Sequence, residues 1–335
     1  MEGPRDDPGP PAALAAVGAQ RWAIGLDVGG TKMGGGLVEL STGRLVGHQT
    51  VPTGATRGGA AVLADALSLA ATLLAEAAAG GQAVEGIGVG VAELVDARGG
   101  ITSDHTIAWL GQPVQERFRA LAPAVVQSDV RAAALAEALF GAGQPYTTFA
   151  YLTVGTGISY CLVQGGRPYA GARGNALVLA SSPHTTTCLH CGAELRPILE
   201  EFASGPALVA RYNAAHPGQT AATRGHDVLA AAAGGDEAAC HVVRTAGAAL
   251  GVAAGLLADM LDPEALVVGG GLGVAGGLYW DSFVASTRTH IWAEATRGLP
   301  ILPAALGPTA GVVGAAAIWR LPTEAAIDAS PRVVL

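Results

Sequence analysis

The sequence predicts an α/β protein of two lobes, on three observations. Short β-branched runs alternate with long alanine- and leucine-rich stretches, the pattern of sheets covered by helices. A strand that runs into a small glycine turn and out again as a second strand occurs near the start of the chain, and the same device returns at Phe149. A length of 335 residues suffices for two cores, each large enough to stabilise itself.

Arg21–Leu26 reads as the first strand, entering the glycine turn Asp27–Thr31. Leu37–Leu40 and Gly47–Val51 read as antiparallel strands about a Ser41-Thr42-Gly43 turn. Ala60–Ala79 has a helical composition, and Val84–Val91 is the next strand. Ala124–Gln127 is another strand; it stops at Ser128-Asp129 before a helix over Val130–Phe140. The pattern then restarts with strand Phe149–Val154, turn Gly155–Ser159 and a strand to Val163. Helices are expected over Arg196–Ala215 and Ala238–Met260, and a strand over Ala265–Val268 opens on Gly269-Gly270-Gly271. No tandem repeat of short period is visible. On this reading residues 1–20 are a disordered leader. Residues 21–128 form the first lobe, joined by a C-terminal helix at about residues 310–335, and residues 129–309 form a larger second lobe.

Half of the residues are apolar and 14% are charged, a globular balance. The formal net charge of -8 argues against nucleic acid, whose phosphates need clustered Lys and Arg. The apolar run Val252–Leu261 stops at Asp262-Pro263, short of a membrane span. Four cysteines, with Cys188 and Cys191 separated by two residues, suit a cytosolic thiol set better than a disulfide scaffold. A cytoplasmic enzyme acting on a small molecule, with no nucleic-acid or membrane partner, is the class these features leave.

In Asp27-Val28-Gly29-Gly30-Thr31-Lys32 the glycines let backbone N–H groups approach phosphate oxygens, and the Thr31 hydroxyl adds a donor. Asp27 at the strand end suits hydrated Mg²⁺, which takes few carboxylates and keeps several waters. Taken alone, the segment also reads as an ordinary Asp-Gly turn. Val154-Gly155-Thr156-Gly157 repeats the device, and Val267-Val268-Gly269-Gly270-Gly271 supplies a third strand-glycine turn. Three such turns are what a cleft between two lobes needs to grip a nucleoside triphosphate.

These residues resemble those of the ROK (repressor, open reading frame, kinase) family of sugar kinases. The first turn resembles its phosphate loop and Leu152–Ile158 its second. Asp262-Pro263-Glu264 through Gly271 resembles its adenosine segment, and Gly311–Ala316 its closing helix. The resemblance covers about residues 21–320 and implies an actin-like, ribonuclease-H-like fold, ATP and Mg²⁺ between the lobes, and a homodimer.

In-line phosphoryl transfer needs a base near the acceptor hydroxyl. Locally, Asp129 reads as well as a cap for the helix Val130–Phe140. Gln127–Leu135 resembles the family's base segment, however, and Asp129 falls on the base, with Ser128 and Arg131 where the family has Asn. On the acceptor side the likeness weakens. Ala92-Glu93 stands for Pro-Gly, Thr106 for the Asn before Trp109, with His105 beside it. Val178 and Ser181 fall on the Glu and His of a Glu-x-x-His pair, while Glu200 falls on the last Glu. A lost hydroxyl partner costs roughly 1–3 kcal/mol, so a plain hexose fits this set poorly. Glu93 suggests an ammonium partner, as on an amino sugar or aminocyclitol; the Val178 wall suggests a deoxy or acyl group. Glu93 and His105 also read as exposed loop residues with no ligand role.

The resemblance further implies a structural zinc. Ser181 removes its His, and Pro197-Ile198 replaces a Gly-Cys. His184, Cys188, His190 and Cys191 remain, with spacings that could supply three or four zinc ligands; a metal-free thiol pair fits them equally. Three functions follow: a kinase for a sugar-like acceptor, a non-catalytic nucleotide- or metabolite-binding relative, and a repressor. The last needs a helix-turn-helix domain before the first turn, and the roughly twenty residues there carry no such pattern.

Overall fold

The computed structural model describes residues 20–218 and 221–321. The first half contains β1 (Trp22–Val28), β2 (Lys32–Glu39), β3 (Leu45–Pro52), α1 (Gly59–Ala79), β4 (Val84–Val91), α2 (Val114–Arg119), β5 (Ala124–Ser128) and α3 (Asp129–Phe140). The second contains β6 (Thr148–Val154), β7 (Ile158–Gln164), β8 (Arg167–Pro168), β9 (Thr186–Thr187), β10 (Glu194–Leu195), α4 (Glu200–Ala203) and α5 (Gly205–Ala214). It continues through α6 (Gly225–Ala233), α7 (Glu237–Leu261), β11 (Ala265–Gly269), α8 (Gly277–His290), β12 (Ile301–Pro303) and α9 (Ala310–Ala317).

The restart visible in the sequence is a restart of topology. One sheet runs β3-β2-β1-β4-β5, with β1, β2 and β3 an antiparallel meander and β4 and β5 parallel to β1. The other runs β12-β11-β6-β7-β8, again an antiparallel meander (β6, β7, β8) followed by two strands parallel to β6. The first and second glycine turns are therefore equivalent hairpins, β1–β2 and β6–β7.

Alternation along β1 explains how the first sheet is covered. Trp22, Ile24, Leu26 and Val28 face the α1 side with Val62, Leu69 and Leu73. On the other face Ala23 meets Val313 and Ala316 of α9. A side chain at Gly25 or at Gly88 of β4 would collide with the carbonyls of Val312 and Ala315, so the α9 backbone lies directly on the sheet. By length and apolarity α1 and α7 could each span a bilayer, yet both pack one face into a core.

Two features differ from the sequence reading. The expected helix Arg196–Ala215 is two helices, α4 and α5, divided at Ser204. Ser204 Oγ accepts the Ala207 N–H at 3.4 Å, and Pro206 is tolerated only in the first turn of a new helix. Helices α2, α6 and α8 and strands β8, β9, β10 and β12 were not anticipated. The C-terminal helix is observed as α9; its expected continuation beyond 321 and the leader through residue 19 lie outside the described residues.

The chain passes between the sheets twice, from α3 through residues 141–147 into β6 and from β12 through residues 304–309 into α9. Glu137, fully buried in α3, touches both passages. It accepts N–H bonds from Ala142 at 2.8 Å, Ala305 at 3.0 Å and Leu306 at 2.9 Å.

Candidate active site

The first two glycine turns open into one cavity of about 880 Å³. Gly29, Gly30, Thr31 and Lys32 line it from the first sheet, and Gly155, Thr156 and Gly157 from the second. The β1–β2 turn is closed by Gly29 N–H to Lys32 O at 3.1 Å. Thr53 holds it from outside, its hydroxyl donating to Gly29 O at 2.6 Å and its N–H to Thr31 O at 3.0 Å. In the second turn Gly155 N–H meets Gly157 O at 2.9 Å, and a methyl group on Gly155 would touch nothing within 4 Å. Space there is kept for something other than protein.

The third turn does not line this cavity. Gly269-Gly270-Gly271 sits behind the second turn, where Gly270 adopts a φ of 80° that disfavours any side chain. A side chain there would also collide with Val154, whose carbonyl accepts the Leu272 N–H at 3.0 Å. His226 at the start of α6 is its neighbour: its Nε2 would lie 3.2 Å from a methyl group on Gly271.

Asp27 and Asp129 line the cavity from the ends of β1 and β5. Asp27 stands against Gly311 in the first turn of α9, where any larger residue would collide with its carboxylate. Burial pushes its pKa up to about 6, with Lys32 pulling the other way. Asp129 opens α3. Ser128 occupies the cap position and makes no side-chain cap bond, while Asp129 Oδ1 accepts the Val130 N–H at 2.6 Å. Burial, then the charge of Asp27, pushes the Asp129 pKa up to about 7; the Val130 N–H opposes this, Glu93 adds to it and Arg131 opposes it. A carboxylate so tuned suits proton transfer near neutrality.

On the acceptor side the cavity is lined by Glu93, His105, Thr106, Ser128, Arg131, Val178, Ser181 and Glu200. Glu93 is neither an exposed loop residue nor open to an ammonium partner. Glu93 is 6% exposed, and its Oε1 accepts the N–H groups of Thr106 at 2.6 Å and Ile107 at 2.7 Å. Its Oε2 accepts the His105 N–H at 3.0 Å and the Ser103 hydroxyl. Four donors of its own loop fill the carboxylate, leaving no lone pair for an ammonium group. Arg131, 8% exposed, donates to Val95 O at 2.8 Å and Gly174 O at 2.9 Å and so ties the two sides of the cavity together. Glu200 Oε2 accepts the Ile158 N–H at 2.7 Å, beside the second turn. Val178 is 42% exposed.

A family model described as "ROK family" matches residues 23–321. The chain belongs to the ROK family. It is 30% identical to a glucokinase of Streptomyces coelicolor over 317 residues, 89% of this chain and 98% of that one. It is 32% identical to an N-acetylmannosamine kinase of Yersinia pseudotuberculosis over 308 residues, 88% of this chain and 97% of that one. A ROK glucokinase from Streptomyces griseus, solved with glucose and AMPPNP, superposes with a TM-score of 0.76 at 30% identity, over 89% of this chain and 98% of that one. A ROK hexokinase from Thermus thermophilus follows at 0.72 and 30%, over 88% and 97%. The fold is that of these kinases, the actin-like ATPase fold.

The zinc set implied by the ROK resemblance is not assembled. Among the described residues no three or more His, Cys, Asp or Glu side chains are grouped to hold a metal ion, so His184 and His190 do not complete a site with the cysteines. Cys188 and Cys191 do come together, in the turn closed by Cys188 N–H to Ala193 O and Gly192 N–H to Cys188 O, both at 2.8 Å. N–H groups of Cys191 and His190 lower the Cys188 thiol pKa.

Sequence reasoning missed Ser103, Thr53 and His226. Thr53 and His226 lie against turns distant in sequence and Ser103 against a carboxylate ten residues before it, and no local spacing marks them.

Proposed function

We propose that this ROK chain is an ATP-dependent kinase that phosphorylates a hydroxyl of a sugar or modified sugar, with Asp129 as general base. The observation that carries the reading is the meeting of Asp129 with both phosphate-sized turns in one cavity. The acceptor oxygen attacks the γ-phosphorus, its proton passes to Asp129, and ADP leaves. Backbone N–H groups of Gly29, Gly30, Gly155 and Gly157, the hydroxyls of Thr31 and Thr156, and Lys32 hold the phosphates. Gly269-Gly270-Gly271 shapes the adenosine side from behind the second turn.

Asp27 fits Mg²⁺: it is a cavity-lining carboxylate that accepts no hydrogen bond from the described residues. The ion, when bound, neutralises phosphate charge; Asp27 would hold it through water. With Glu93 occupied, an amino group on the acceptor loses its partner. Val178 at the cavity wall then favours a deoxy or acyl group, and likeness to an N-acetylmannosamine kinase supports the acyl form.

The test is ADP release from Mg-ATP across glucose, N-acetylmannosamine, other N-acylated and deoxy sugars, amino sugars and cyclitols. Turnover of any of them supports the kinase. Failure to bind nucleotide at millimolar ATP ends the reading.

A further inference from the structure

Glu93 lines the cavity, yet its carboxylate is bonded into its own loop, and the loop is part of the cavity wall. His105, Thr106 and Ile107 are consecutive, and all three N–H groups point at this one side chain, an anion nest made of backbone. Ser103 closes the network: it donates to Glu93 and accepts the Leu94 N–H at 2.9 Å. Beyond the nest the loop is anchored by Ile107 and Trp109, both fully buried, with the Trp109 indole N–H on Gly59 O at 2.7 Å. His105 and Thr106 are exposed to the cavity, so it meets their side chains, their N–H groups being spent on Glu93. The same loop leans on the phosphate turn: the Thr106 methyl would lie 2.5 Å from a methyl group on Gly30.

We infer that Glu93 is the positioning residue of the acceptor wall, holding His105 and Thr106 in one conformation and seating Thr106 on the Gly30 phosphate turn. Remove it, and three inward-facing N–H groups lose their common acceptor, so the loop must turn over to find water. Thr106 then leaves both the acceptor and the phosphate turn. The inference rests on the kinase reading for its effect on turnover, but not for its effect on the loop.

The test therefore has two arms. In Glu93→Gln the amide keeps the shape and one acceptor oxygen, but its NH₂ faces the donors on the other side. Amide hydrogen exchange at residues 105–107 is expected to rise at least about 10-fold while the strands of the first sheet stay protected. AMPPNP affinity, measured by calorimetry, is expected to fall about 3-fold through Gly30. With the sugar turned over best by the wild type, KM for the sugar is expected to rise about 10-fold with kcat within about 3-fold. Ser103→Ala, which removes one donor and keeps the carboxylate, is expected to shift the same quantities in the same direction but less. Unchanged exchange at 105–107 overturns the proposal. So does a parallel loss of kcat and melting temperature with no separate rise in KM, which marks a general stabilising role. If the wild type turns over no sugar, the kinase reading fails, while exchange and AMPPNP affinity still decide the role of Glu93.

Discussion

Asp27 and Asp129 face one cavity, and the negative charge of Asp27 is, after burial, the main reason Asp129 keeps its proton up to about pH 7. As a base, Asp129 works only when deprotonated, so kcat/KM should rise with pH and level off, with its acid limb above the ordinary carboxylate range. An acid limb near the ordinary carboxylate value would refute the tuning.

The same shift has a stability consequence of opposite sense. The folded pKa of Asp129 lies above its ordinary value of 3.8, so the folded state binds the proton more tightly than the unfolded state. Its contribution is fully present below pH 3.8 and is lost as pH rises to about 7. Asp129→Asn carries no such titration, so its stability relative to wild type should improve between pH 5 and pH 8 in urea unfolding experiments.

In turnover the same variant should behave in the opposite way. An amide can still accept the Val130 N–H but cannot take the acceptor proton. Phosphoryl transfer should fall by roughly 10²–10⁴-fold with ATP affinity nearly unchanged. Activity within a few-fold of wild type would leave Asp129 as only a helix residue.

Two glycines separate packing from ligand binding. Gly88→Ala drives a methyl group into the Ala315 carbonyl and should destabilise the protein by about 1–3 kcal/mol. Gly155→Ala meets no protein atom within 4 Å, so the melting temperature should hold while AMPPNP affinity drops by about 10-fold or more. Equal effects on stability would contradict the assignment of the second turn.

Unmodified glucose should be a poor acceptor. Two missing hydroxyl partners at about 1–3 kcal/mol each correspond to a loss of order ten- to ten-thousand-fold. Placing Glu at 178 and His at 181 should raise glucose turnover. If the double variant is no better, those positions are not the limit.

Local pattern made most of the strands legible: β4 lies at Val84–Val91 as expected, and Asp129 begins α3 where the strand-to-helix change placed it. The break at Ser204 was readable from Pro206 but masked by the apolar composition around it. Glu93 illustrates what was not readable. Its charge in the sequence suggested a ligand contact, whereas its partners lie 10 to 14 residues away and are mostly backbone N–H groups, which no side-chain pattern announces. The arrangement of the third glycine turn behind the second depends likewise on the pairing of β11 with β6.

Glu137 gives any motion of the two halves a fulcrum. Both passages of the chain between the sheets are bonded to this one carboxylate, so neither half can slide on the other without breaking a buried charged contact. A rotation centred on Glu137 would displace these three bonds least. Asp129 lies on the same helix, roughly 12 Å away at 1.5 Å per residue, so a turn of about 10° would carry it only about 2 Å. Asp129 therefore moves little in such a turn, while parts of the cavity farther from Glu137 sweep the longer arc.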